Sequence, residues 1–167
     1  GNCSTAALLS SGEFITAPTD LQGENPDPAM RPHIVNNSWG SDETHNTTFW
    51  DVTQAWVAAG IVPVFSNGNA GPGAGTVGSP SSFPHAIGIG ATDSTDGIAA
   101  FSSRGPVTWD GVEYTKPEVS APGHAIRSAW PTHLSADGYH TISGTSMATP
   151  HATGVVALML SAAPDLT

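Results

Sequence analysis

One cysteine stands in 167 residues, at position 3, so no disulfide can form within the chain. Basic residues are almost as scarce: four Lys and Arg face 14 Asp and Glu, and the formal net charge is −10. That is too little positive charge to neutralise a phosphate backbone, which excludes nucleic acid as a partner. No apolar run reaches the length needed to cross a bilayer, so a membrane is not expected as a partner either. No two of the seven histidines fall at close metal-ligand spacing, which argues against a zinc site. Internal repeats and low-complexity segments are also missing. The acidic balance suits a soluble, extracellular protein.

What is present is a globular chain rich in tight turns. Apolar residues make up 38%, with 19 Gly and 14 Pro, and the length suffices for one domain with a core. Spacing predicts a helix from Ser4 to about Ala17, capped by Ser4 or Thr5. Leu21 to Pro32 reads as a loop, and His33 to Ser38 as a short strand. A second helix over Asn46–Ala59 is stopped by Gly60. Ile61–Phe65, Ala86–Ala91 and Lys116–Ala121 read as further strands, with a long Gly/Ser/Pro loop over Gly68–Ser82. Ala125–Trp130 and Tyr139–Ile142 pair as a hairpin across Asp137-Gly138, and a last helix follows. Asp96-Gly97 and Asp110-Gly111 read as turns. Short apolar strands alternating with helices predict an α/β fold with a mostly parallel sheet. Ligands then belong beyond the carboxyl ends of the strands, where Asn37-Ser38-Trp39-Gly40 and Ser66-Asn67-Gly68-Asn69 lie.

Chemistry concentrates in Gly144-Thr145-Ser146-Met147-Ala148-Thr149-Pro150-His151, followed by the apolar run Val155-Val156-Ala157-Leu158-Met159-Leu160. This is a turn feeding a buried helix, with Ser146 at the junction. The first N–H groups of a helix are unpaired and its dipole is positive there, so negative charge developing beside Ser146 is stabilised. Pro150 fits a first turn whose donors have no partners, and Gly154 permits close approach to a neighbour. A lone Ser or Thr before such a helix is ordinarily just a cap. The whole octet, however, resembles the serine motif of the subtilisin-like (subtilase) serine proteases.

Other stretches strengthen the resemblance. Phe65-Ser66-Asn67-Gly68-Asn69-Ala70-Gly71 resembles the family's oxyanion-hole segment, and Asn36-Asn37-Ser38-Trp39-Gly40 its substrate-pairing strand end. Phe101-Ser102-Ser103-Arg104-Gly105-Pro106 and Lys116-Pro117-Glu118-Val119-Ser120-Ala121-Pro122-Gly123 resemble two more family segments. The resemblance implies a three-layer α/β sandwich, incomplete, and peptide-bond hydrolysis with Ser146 as nucleophile. The Asn69 amide and the Ser146 N–H would form the oxyanion hole. Ser38, Trp39, Gly40, Phe65, Ser66, Asn67, Gly68 and Gly78 would line the substrate site. The residue before the scissile bond would be large and apolar, because Gly78 leaves the pocket floor open and these segments carry no acid. His151 would be structural.

Family members also carry an Asp in an apolar strand before Ser/Thr-Gly and a His in H-G-T-H, and neither pattern occurs here. His124 and His140 lack the required neighbours. Residues 1–167 therefore resemble the middle-to-C-terminal part of a subtilase catalytic domain, without base, orienting carboxylate or the helices that follow the serine helix. The chain starts at Gly1 and ends at Pro164-Asp165-Leu166-Thr167, a loop leading into a further helix, so both ends read as cut. Such a piece would need the missing part, or would self-associate through exposed apolar surface. Acyl transfer needs no cofactor. Calcium is possible, because Ser81–Ala86 resembles a weak family site built from carbonyls. Two alternatives stay open: a non-catalytic proteolytic remnant or binding fragment, and the serine-carboxyl peptidases, against which Asn69 argues because they place an Asp there.

Overall fold

The computed structural model describes residues 3–166; Gly1, Asn2 and Thr167, which belong to the expected cut ends, lie outside the described residues. Helix α1 (Thr5–Thr16) starts where Ser4 Oγ accepts the Ala7 N–H at 3.2 Å. Helix α2 (Trp50–Ala58) is shorter than its apolar spacing implies. Asn46 Oδ1 takes the Thr48 N–H at 3.0 Å and forms a turn ahead of the helix instead of capping it. Gly60, at φ +77°, ends α2 as expected.

Strands β1 (Ile34–Asn37), β2 (Val62–Ser66) and β3 (Ile87–Thr92) pair in parallel, and β6 (Val119–Pro122) joins β3. Among the described residues β1 and β6 are the sheet's two edges. An additional hairpin, β4 (Val107–Trp109) and β5 (Val112–Tyr114), turns at Asp110-Gly111 with φ values of 50° and 79°. Those angles suit a two-residue turn matched to strand twist. The hairpin of β7 (Ile126–Ala129) and β8 (Tyr139–Ile142) pairs as expected. Its connection spans Trp130 to Gly138 rather than Asp137-Gly138 alone, and Asp137 Oδ1 accepts the Tyr139 N–H at 3.1 Å.

Three layers result. Successive residues of a strand face opposite sides, so Val64 packs toward helix α3 (Thr145–Ala162) while Phe65 packs toward α2. On the α3 side Val64, Ile89, Ala91 and Ala121 meet Ala148 and Ala152. On the other side Trp56, Ile61, Phe65 and Phe83 cluster, with α1 beyond α2. Small residues let α3 approach the sheet, but Gly154 is not among them, since a Cβ there would meet nothing. Gly123 is the glycine that close packing requires, because a Cβ there would collide with Ala91 and the Gly144 carbonyl and press on Ala148. The expected burial of α3 holds on one face only: Val155, Leu158 and Met159 are exposed. No helix among the described residues is long and apolar enough to cross a membrane.

Candidate active site

The N-terminus of α3 arrives at the carboxyl ends of β1 and β2, and four hydrogen bonds hold it there. Asn69 Oδ1 accepts the Thr145 N–H at 2.9 Å and the Thr145 hydroxyl at 3.0 Å. A backbone N–H can only donate, so the amide orientation is fixed with Oδ1 toward Thr145 and Nδ2 turned away. Ser38 Oγ donates to Ser146 O at 2.9 Å, and Ser146 Oγ donates to Ser38 O at 3.1 Å. Ser146 is the second residue of α3, so its N–H belongs to the unpaired first turn.

The Asn69 turn is locked from behind. Asn67 Nδ2 donates to Ser103 O, the Ser103 N–H donates to Gly68 O at 3.0 Å, and Ser103 Oγ accepts the Ala70 N–H at 3.0 Å. Asn67, Ser102 and Ser103 are fully buried, whereas Asn69 is exposed. One turn thus has an anchored base and an exposed tip.

A cleft of about 500 Å³ lies in front of this tip, lined by Trp39, Gly40, Ser66 to Asn69, Gly78 and Ser146, together with Asp42. Three sequence expectations need correction. Ser38 is not among the lining residues; its hydroxyl and its carbonyl are both engaged with Ser146. Phe65 does not line the cleft; it is fully buried against Trp39 and Trp56, because the strand's alternation sends it to the α2 face. Gly78 does line the cleft but leaves no open volume, since a Cβ there would strike Ser41 O. Its glycine serves backbone approach: Ser41 N–H donates to Ser79 O at 2.8 Å. Asp42 was missed because it follows the matched segment. An acidic residue among the lining removes the premise of an acid-free pocket.

A second cavity of about 470 Å³ opens on the other side of Ser146, between β7, β8 and α3, and His140 and His151 also line it. His151 Nδ1 is bonded to Met147 O of its own helix at 2.8 Å. His140 packs against Trp130, and His124 stacks on Phe101. Among the described residues no histidine or carboxylate hydrogen-bonds the Ser146 hydroxyl.

The Ser81–Ala86 loop does not fit calcium. Lys116 Nζ donates to Phe83 O at 2.8 Å and Ala86 O at 2.7 Å, and lies 2.6 Å from Glu118 Oε1. An ammonium therefore fills the place where carbonyl oxygens would gather a metal. Burial lowers the Lys116 pKa, and Glu118 partly opposes that. Beside it His85 is held below its ordinary value, first by burial and then by the Lys116 charge. Among the described residues no three His, Cys, Asp or Glu are grouped to hold a metal ion.

Comparison with known proteins places the chain in a family. Residues 4–167 match the family model described as Subtilase family. Bacillopeptidase F of Bacillus subtilis (strain 168) is 42% identical over 165 residues, covering 96% of this chain and 11% of that protein. Serine protease AprX of the same organism is 37% identical over 86% of this chain and 36% of its own length. Alkaline elastase YaB of Bacillus sp. (strain YaB) is 39% identical over 80% of this chain and 31% of its own. Among solved structures, Sphericase superposes with a TM-score of 0.74 at 29% identity, over 98% of this chain and 50% of that one. The chain thus spans from about a tenth to about a third of the length of those relatives.

Proposed function

The chain belongs to the subtilase family, and from that premise we propose that it is the nucleophile-bearing part of a serine endopeptidase catalytic domain. Ser146 Oγ attacks the peptide carbonyl, forming the acyl-enzyme bond as the amine leaves, and water then releases the acyl group. The Asn69 Nδ2 and the Ser146 N–H receive the oxyanion. Negative charge exists there only in the transition state, so these donors lower the barrier rather than simply bind substrate. The substrate is a polypeptide lying across the Trp39–Gly40 and Ser66–Asn69 edges. The reading rests on the Asn69 amide: Thr145 holds its oxygen, which turns its nitrogen away from Thr145, and Asn69 lines the same cleft as Ser146.

A serine hydroxyl needs a base to attack at neutral pH. That base and its orienting carboxylate come from a segment outside residues 1–167, which also covers Val155, Leu158 and Met159. The chain alone is inactive and, lacking that cover, self-associates. No cofactor takes part in the chemistry, and the protein acts outside the cell. A fluorophosphonate probe tests this. Little labelling of the chain alone is expected, and labelling at Ser146 once an Asp/His-bearing part is supplied. Rapid labelling at Ser146 without that part would sink the claim that the base lies elsewhere.

A further inference from the structure

Pro150 creates a local defect next to the proposed nucleophile. In a helix each N–H donates to the carbonyl four residues earlier. Pro150 has no N–H, so the Ser146 carbonyl loses its helical partner. Pro150 is also not in the first turn, as the sequence suggests, but in the second, since α3 begins at Thr145. The orphaned carbonyl belongs to the residue whose hydroxyl and N–H matter most.

Ser38 repairs the defect. Its hydroxyl donates to Ser146 O at 2.9 Å. The same hydroxyl accepts Asn36 Nδ2 at 3.1 Å, and Asn36 Oδ1 accepts the Thr153 hydroxyl at 3.1 Å. Ser38 donates to Ser146 and Asn36 donates to Ser38, while the single Thr153 hydroxyl hydrogen is shared between Asn36 Oδ1 and Thr149 O, the latter at 3.0 Å. The brace ties the end of β1 to α3 at positions 146 and 153, two helical turns apart. Ser38 O meanwhile accepts the Ser146 hydroxyl at 3.1 Å, so one residue holds both the carbonyl and the side chain of Ser146.

We propose that Ser38, supported by Asn36, is a positioning residue that replaces the missing Pro150 N–H and sets the Ser146 main chain. This assigns Ser38 a role distinct from lining the substrate site, and it rests on Ser146 being the nucleophile. A strand-end serine would then matter through the helix it steadies rather than through the peptide it meets.

A double-mutant cycle tests the brace on the chain itself. Ser38→Ala should lower the melting temperature by about 2–4 °C, the scale for one part-buried acceptor left without its donor in a domain of this size. Pro150→Ala restores a helical N–H to Ser146 O, and in that background the same Ser38→Ala change should cost under half as much. Equal losses in both backgrounds would overturn the brace. If Ser38→Ala fails to fold, Ser38→Cys, which fills the same place with a much weaker donor, carries the same comparison. Catalysis gives a separate readout in the chain assembled with its Asp/His-bearing part. Ser38→Ala should lower kcat about tenfold with KM nearly unchanged, and Ser38→Thr, which keeps the hydroxyl, should recover most of that. A loss confined to KM would make Ser38 a substrate contact only. If unmodified Ser146 is never labelled in that assembly, the proposed function fails, while the melting cycle still decides the brace.

Discussion

Lys116→Met is the sharpest test of the buried ammonium. Methionine keeps the apolar stem and removes the three donors. Ala86 O loses its side-chain donor outright, about 1–3 kcal/mol for a buried acceptor left unpaired. Phe83 O keeps the Ala86 N–H at 3.1 Å, so it loses less. Glu118 Oε2 keeps the Gly88 N–H at 2.7 Å, and its side chain is 36% exposed, so water replaces part of the lost pair. Against these losses stands relief from burying a charge, the same burial that lowers the Lys116 pKa. The balance favours the native lysine by about 2–3 kcal/mol, or about 5–10 °C in melting temperature for a chain of this length. Thermal unfolding followed by circular dichroism measures it. A variant as stable as the parent would mean that the charge costs as much as its bonds return. Lys116→Ala adds a second arm. It vacates a pocket of two carbonyls and a carboxylate, a hard-oxygen set suited to calcium. Millimolar calcium should raise its melting temperature more than the parent's. Equal shifts would refute the idea that Lys116 occupies a cation's place.

Three further outcomes are expected. Asn69→Ala, assayed with the base supplied, should lower kcat about 100- to 1,000-fold, the range known for losing one such donor in a subtilisin, with KM little changed; a change in KM alone would remove Asn69 from the oxyanion hole. Asp42→Asn should cut kcat/KM for Lys or Arg before the scissile bond about three- to tenfold relative to Phe, since it removes the cleft's carboxylate; an unchanged ratio would show that Asp42 does not face the bound side chain. His85 has a folded pKa below its ordinary 6.5, so between those values the unfolded chain binds the proton that the folded chain refuses. Stability should therefore be full above about pH 6.5 and fall as pH drops through that window. Unfolding midpoints measured from pH 7.5 to 5 should decline less steeply in His85→Gln, and parallel slopes would acquit His85.

The fold was legible wherever periodicity met a definite stop. Ser4 and Gly60 bounded helices because one offers an oxygen to free N–H groups and the other tolerates positive φ. Strand existence followed from short apolar runs, but facing did not. Phe65 looked like pocket wall because its neighbours in sequence are, and only the pleat reveals that it points into the opposite layer. The β4–β5 hairpin was written in Val107-Thr108-Trp109-Asp110-Gly111-Val112-Glu113-Tyr114, an Asp-Gly between alternating residues, yet a turn alone was read from it. Alternation over three residues is too short to carry a strand without its partner.

The site divides along a similar line. Serine and asparagine were legible as residue types in a family pattern, because their chemistry is in their side chains. What holds them was not, because it runs through backbone groups that leave little trace in sequence. Lys116 reads only as the start of a strand until two carbonyls are found around its ammonium. Gly78 reads as empty space until Ser41 O is found against it. Pro150 is the clearest case. From sequence it looks harmless, a residue without an N–H where none is required. Placed one turn later, it strips a partner from Ser146 O, and the cost reaches the reactive residue. A hydroxyl from β1 then becomes necessary, and an asparagine two residues before it becomes useful. The geometry of Ser146 is thus set by a proline four residues ahead on its own helix and by the end of a distant strand.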